Sequence, residues 1–162
     1  MDTTLIAIQP RLETRAGVTV MGVEAPCQFD GPDFFKALWS ERFAPREAEI
    51  KPYSPDGGYY SLYYCAGVER GVQVVAGMAV EGVTAVPEGL VLVEAPAGRY
   101  AVVETDMAGL STAWNELNEH WLVESPWERA DTPDIEYYPP STGSGGEMPV
   151  LICIPVRERE PA

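Results

Sequence analysis

The sequence predicts an α+β fold made of duplicated strand-helix-strand-strand units with pseudo-two-fold symmetry around a central cleft. Three observations carry that expectation. Short Val, Ile and Tyr-rich runs dominate the chain, only two segments have helical periodicity, and those two segments occupy equivalent places in an internal repeat. Fifteen glycines and fifteen prolines punctuate the chain without clustering, as tight turns between short elements require.

The predicted strands, in order, are Leu5 to Ile8, Val18 to Val23, Tyr59 to Val68, Val72 to Val80, Leu90 to Ala95, Tyr100 to Glu104, Ile135 to Tyr138 and Val150 to Val156. The first helix is expected after Asp30-Gly31-Pro32, a cap and an early-turn proline, with Phe35, Leu38, Trp39 and Arg42 on one side. Ser111 is the expected cap of the second helix, whose Trp114, Leu117 and Trp121 recur at i, i+3 and i+7. The repeat aligns Gly17–Glu24 with Gly98–Thr105, Trp39 with Trp121, and Ile50–Tyr53 with Ile135–Tyr138, at offsets that grow slowly. A single domain over 1–158 follows, with one unit over about 1–70, a connector over about 71–87, a second unit over about 88–158 and a frayed tail at 159–162.

Composition excludes several functions. Eleven Lys and Arg stand against twenty-five Asp and Glu, a formal charge of −14, so no basic stripe is available for nucleic-acid phosphates and anionic membrane surfaces repel the chain. The field favours cationic ligands or basic partners. Cys27, Cys65 and Cys153 are odd in number and lack metal or redox spacing, which suits reduced thiols. The N-terminus has no basic start, and no apolar run is long enough to span a bilayer, so a cytoplasmic protein is expected. His120 is the sole histidine, too few for a histidine metal site, and it reads as a helix-flank residue; no metal or cofactor is expected. Gly143-Ser144-Gly145-Gly146 lacks the lysine of a phosphate loop and reads as a hairpin loop.

Candidate site residues come from two strands. In Asp134-Ile135-Glu136-Tyr137-Tyr138, alternation puts Glu136 and Tyr138 on one face. With Ile135 and Tyr137 packed under the helix, Glu136 would point to where the halves meet, as a carboxylate that needs a cation, hydrogen bonds or water. In Tyr59-Tyr60-Ser61-Leu62-Tyr63-Tyr64-Cys65, Tyr59, Tyr63 and Cys65 share a face, and such tyrosines can wall a cleft with rings that attract cations.

The run from Pro87 to Glu104 resembles the gyrase-inhibitor-like (GyrI-like) small-molecule-binding domain family, the effector-binding domain of MerR-type and AraC-type regulators. The resemblance continues through Asn118-Glu-His-Trp-Leu122, Pro133–Tyr138 and Ile152–Val156, and Ala66–Glu69 also fits. It implies the duplicated fold and a ligand-receiving glutamate in the penultimate strand, which falls on Glu136, among aromatic walls. The candidate ligand residues are therefore Glu136, Tyr138, Tyr63, Tyr59, Trp121 and Cys153, the last standing where the family often has an aromatic. The chain has no segment for a DNA reader and is expected to act as a stand-alone binder of an apolar or cationic aromatic molecule. The resemblance also implies two alternatives: a hydrolase of cyclopropane-bearing compounds using Glu136 and Tyr138, and an acidic inhibitor of a protein partner such as gyrase or a separate regulator.

Overall fold

The computed structural model describes residues 9–27, 32–65, 71–140 and 149–160. Strands β1 (Arg11–Arg15) and β2 (Val18–Pro26) lead to α1 (Pro32–Ala37). That helix widens into a π-helical turn at Leu38–Phe43 and continues through a 3-10 turn into α2 (Glu47–Ile50). Strands β3 (Tyr59–Cys65), β4 (Val72–Ala79), β5 (Val91–Ala95) and β6 (Gly98–Asp106) follow. Then come α3 (Leu110–Glu116), a second π-helical turn at Leu117–Trp121, α4 (Leu122–Glu124), β7 (Trp127–Arg129), β8 (Asp134–Tyr138) and β9 (Pro149–Glu158).

All pairings are antiparallel, in the order β1-β6-β9-β8-β3-β4-β2-β5, with β7 on the far end of β9. Each half supplies two strands, a helical stretch and two further strands, the second half adding the short β7, and the halves join at the β3–β8 pair. The first strand of each half is exchanged: β1 pairs with β6 of the second half, and β5 pairs with β2 of the first.

This order forces the sheet to curl. Only Ala16 and Gly17 join β1 to β2, and only Pro96 and Ala97 join β5 to β6, although each pair stands near opposite ends of the order. A chain reaches at most about 3.6 Å per residue, so the two ends must meet. They do: a Cβ at Gly17 would lie 3.0 Å from the Ala97 nitrogen, so the two links are in tight contact where a side chain would crowd them.

Three cores result. Leu38, Phe43 and Ile50 pack with Met21, Val23, Val74 and Met78 on the outer face of the first half. Ala113, Leu117 and Leu122 do the same with Ala101, Val103, Ile152 and Ile154 in the second. The inside of the curl is filled by Val20, Leu62, Val75, Tyr100, Ile135 and Cys153.

The structure corrects several expectations. The bounds of β1 and β2 reappear in β5 and β6 at a shift of 80 residues, where the Gly17-to-Gly98 alignment implied one more. One residue decides the face: at 80, Met21 maps to Ala101 and Val20 to Tyr100, each pair on the same side of the sheet. The π-helical turns begin at Leu38 and Leu117, 79 residues apart, so Trp39 corresponds to Asn118 and not to Trp121. Ile50 ends α2 and Lys51–Tyr53 is a 3-10 turn, so the counterpart of β8 is β3.

The expected connector contains β4, a fully paired strand of the first half. Gly109, not Ser111, caps α3, and Ser111 lies inside the helix. Arg159 is held, its amide on the Pro126 carbonyl at 2.8 Å and its guanidinium on the Leu122 and Trp127 carbonyls, so the tail is not frayed there. Strands β1 and β7 escaped prediction, being short and charged. The expected strand at Leu5 to Ile8, the Asp30-Gly31 cap, Ala66–Glu69 and the 143–146 loop lie outside the described residues. No helix among the described residues is long and apolar enough to cross a membrane.

Candidate functional site

Glu136 sits in the middle of β8, directly opposite Ser61 of β3, and is 3% exposed. Its side chain faces outward from the curl into the space between the helical stretches of the two halves. This reverses the expected arrangement, in which Ile135 and Tyr137 packed under the helix. They face the inside of the curl instead, because its closed interior takes up that side of β8.

Three side chains donate to the carboxylate. Tyr63 Oη reaches Oε1 at 3.0 Å from β3, Trp114 Nε1 reaches Oε2 at 2.5 Å from α3, and Tyr138 Oη, two residues along β8, bonds to Oε1. The Tyr138 hydroxyl also lies 3.3 Å from Ser61 Oγ. No Lys or Arg among the described residues pairs with Glu136. Burial pushes its carboxyl above the ordinary range, the three donors pull it part of the way back, and Asp134 adds a like charge. Burial also raises the Tyr63 and Tyr138 phenols well above their usual value, and the Glu136 charge adds to it, so both remain protonated donors. The Cys27 thiol is pushed up to about 11 by burial first and then by Glu136, which keeps it protonated at neutral pH.

An aromatic wall surrounds this anion. Trp114 meets Tyr63 edge-on with ring centroids 6.0 Å apart, and Phe35 of α1 meets the same tyrosine at 6.4 Å. Across the site, Trp39 lies edge-on to Tyr138 at 5.9 Å and to Tyr59 at 6.1 Å. Edge-to-face rings hold one another in place and present π faces that favour a cation.

Of the residues expected at the site, Glu136, Tyr138 and Tyr63 come together. Tyr59 shares their face, but its hydroxyl donates to Glu47 of α2 at 2.6 Å, so it braces the wall. Two do not belong. Trp121 packs against the second-half core, on the flank where Trp127 also lies. Cys153, 1% exposed, lies inside the curl, because Ile152 and not Cys153 pairs with Glu136 and successive residues alternate faces. His120 is half exposed and bonds to Glu116 at 3.1 Å, away from the anion. Sequence reasoning missed Trp114, Trp39 and Phe35 as site residues; their helical spacing matched core packing, and only the indole N–H of Trp114 hinted at a polar partner.

A family model described as Cass2, integron-associated effector binding protein, matches residues 2–156. The transcriptional regulator BrlR of Pseudomonas aeruginosa is 33% identical over 132 residues, covering 79% of this chain and 47% of that protein, so the chain spans about half the length of this curated relative. Three solved structures share the fold. SAV2435 bound to tetraphenylphosphonium has a TM-score of 0.72 at 13% identity and covers 93% of this chain and 94% of that one. The EcmrR C-terminal domain has a TM-score of 0.68 at 17% identity, covering 94% and 99%. An integron cassette protein of Vibrio cholerae has a TM-score of 0.60 at 21% identity, covering 93% and 97%.

Proposed function

This chain belongs to the Cass2 family of integron-associated effector binding proteins, and we propose that its effector is a cationic aromatic small molecule anchored on Glu136 between the two helical stretches. One observation carries this reading: a buried carboxylate without a cation partner among the described residues, ringed by aromatic side chains. Such a group is costly to keep charged, and an entering cation offsets that cost while its rings pack on Trp39, Phe35 and Trp114. The tyrosine and tryptophan donors hold the carboxylate meanwhile, and a ligand must displace at least one of them. A hydrolytic role for Glu136 and Tyr138 fits less well, because the Tyr138 hydroxyl is already committed to Glu136 and is not free to polarise a substrate.

The test compares tetraphenylphosphonium with the neutral triphenylphosphine oxide by titration calorimetry. Glu136→Gln should weaken the phosphonium by about 2 to 5 kcal/mol and the oxide far less. Equal losses for the two ligands, or no loss for either, would sink the anchoring role.

A further inference from the structure

The curled sheet has an opening on the side away from Glu136. An open groove of about 400 Å³ lies there, walled by Tyr60, Tyr100, Tyr137 and Cys153 and rimmed by Arg15 and Glu13. The mouth of a strongly curled sheet, like that of a barrel, is a common place for a small-molecule site, and this volume suits a two-ring molecule. Tyr60 and Tyr137 form a cross-strand pair with ring centroids 4.8 Å apart. Among the described residues neither of their hydroxyls forms a hydrogen bond, whereas the Tyr100 hydroxyl is taken by the Pro96 carbonyl at 2.7 Å.

Charge is arranged unevenly at this mouth. Arg15 reaches Glu13 with one nitrogen at 2.9 Å, and Glu13 is held separately by Arg11 at 2.8 Å. Glu13 therefore keeps a partner if Arg15 turns to a ligand. Arg15 is the one cation among the residues that line the groove, and its charge acts on all four of the wall residues. Asp56 adds a negative charge felt by Tyr60 and Tyr137, which disfavours an anion at their end. Unlike the Glu136 site, this groove has a cation on its lining.

We propose that the mouth of the curl is a second binding site, for a flat aromatic carboxylate whose rings lie against Tyr60 and Tyr137 and whose carboxylate pairs with Arg15. It does not depend on the Glu136 reading. The guanidinium presents parallel N–H groups that match a carboxylate, and charge-assisted pairs of this kind are among the stronger polar contacts.

The experiment uses 2-naphthoate and its neutral isostere 2-naphthamide, with binding followed by chemical shifts of the tyrosine rings. Naphthoate should shift Tyr60 and Tyr137, and Arg15→Gln should weaken it tenfold or more while leaving the amide nearly unchanged. Glu13→Gln should act in the opposite direction and tighten naphthoate several-fold, since the competing carboxylate is gone. Glu136→Gln and saturating tetraphenylphosphonium should leave the naphthoate affinity unaltered. The proposal fails if naphthoate does not bind at millimolar concentration, if Arg15→Gln weakens acid and amide alike, or if tetraphenylphosphonium competes with it.

Discussion

The two halves of the molecule share a frame and differ at its centre. Around the β3–β8 junction, where Ser61 faces Glu136, a half-turn exchanges Tyr63 with Tyr138 and Phe35 with Trp114. Each tyrosine hydroxyl reaches across to the opposite strand: Tyr63 to Glu136 at 3.0 Å, and Tyr138 to Ser61 at 3.3 Å. The second half has added a carboxylate where the first keeps a hydroxyl, and an indole N–H where the first keeps a plain ring. A symmetric scaffold has thus acquired a single anion at its axis, with one half specialised and the other left as wall.

The inside of the curl shows a matching asymmetry. Gly22 pairs with Gly77 in the first half, and their counterparts in the second are Val102 and Cys153. A Cβ on Gly22 would come 2.0 Å from the Ala76 carbonyl oxygen, so the strands are pinched together there. In the second half, larger side chains line the curl, and the groove opens beside Cys153.

If the frame is shared, equivalent core residues should be equally costly to truncate. Leu38 and Leu117 open the two π-helical turns at 2% and 0% exposure. Leu38→Ala and Leu117→Ala should each lose about 2 to 5 kcal/mol in urea unfolding. A loss below about 1 kcal/mol in only one of them would show that the helices do not bear on the sheet alike.

A smaller effect tests the specialised half. Trp114→Phe copies the first half by removing one donor from a buried carboxylate, and should cost roughly 1 to 3 kcal/mol of stability. Affinity for tetraphenylphosphonium should rise a few-fold, because the cation no longer competes with the indole. A drop in affinity as large as that of Glu136→Gln would mean that the indole is chiefly a contact for the ligand.

The smallest effect is one of pH. Burial holds the Glu136 carboxyl above its ordinary 4.5, so the folded protein keeps this proton after the unfolded chain has released it. The stability it contributes is full below about 4.5 and is lost as pH rises through the raised value. Wild-type stability relative to Glu136→Gln should fall across that window and level off above it. A difference that instead rises with pH there would mean that the three donors outweigh burial.

Much of this was legible in the sequence, for identifiable reasons. Alternation alone put Glu136 with Tyr138 and Tyr59 with Tyr63, and those faces hold. Two kinds of information were missing. Pairing register between distant strands is not written in either strand, so the Ile152–Glu136 pair that turns Cys153 away could not be read from the chain. The repeat is marked by glycines and valines, which tolerate a slip of one, and that slip exchanges the faces of every residue it carries. Ile50-Lys51-Pro52-Tyr53 mimics the start of β8 in spelling, but it follows a helix, and Pro52 suits the first turn of a helical segment. Helical spacing marks the tryptophans as apolar bulk and is silent on the N–H that joins Trp114 to the carboxylate.

The exchanged first strands bear on how the chain is made. Among the described residues β1 pairs with β6 alone, and β6 begins at Gly98, so a ribosome must add more than eighty residues before Arg11–Arg15 meets that partner. β2 can close on β4 earlier, but its other edge waits for β5. Pairings over such separations are slow to form and leave strand edges open in the interval. β1 carries Arg11, Glu13 and Arg15 along its five residues, and charges of this kind discourage a waiting edge from joining a neighbouring chain during synthesis.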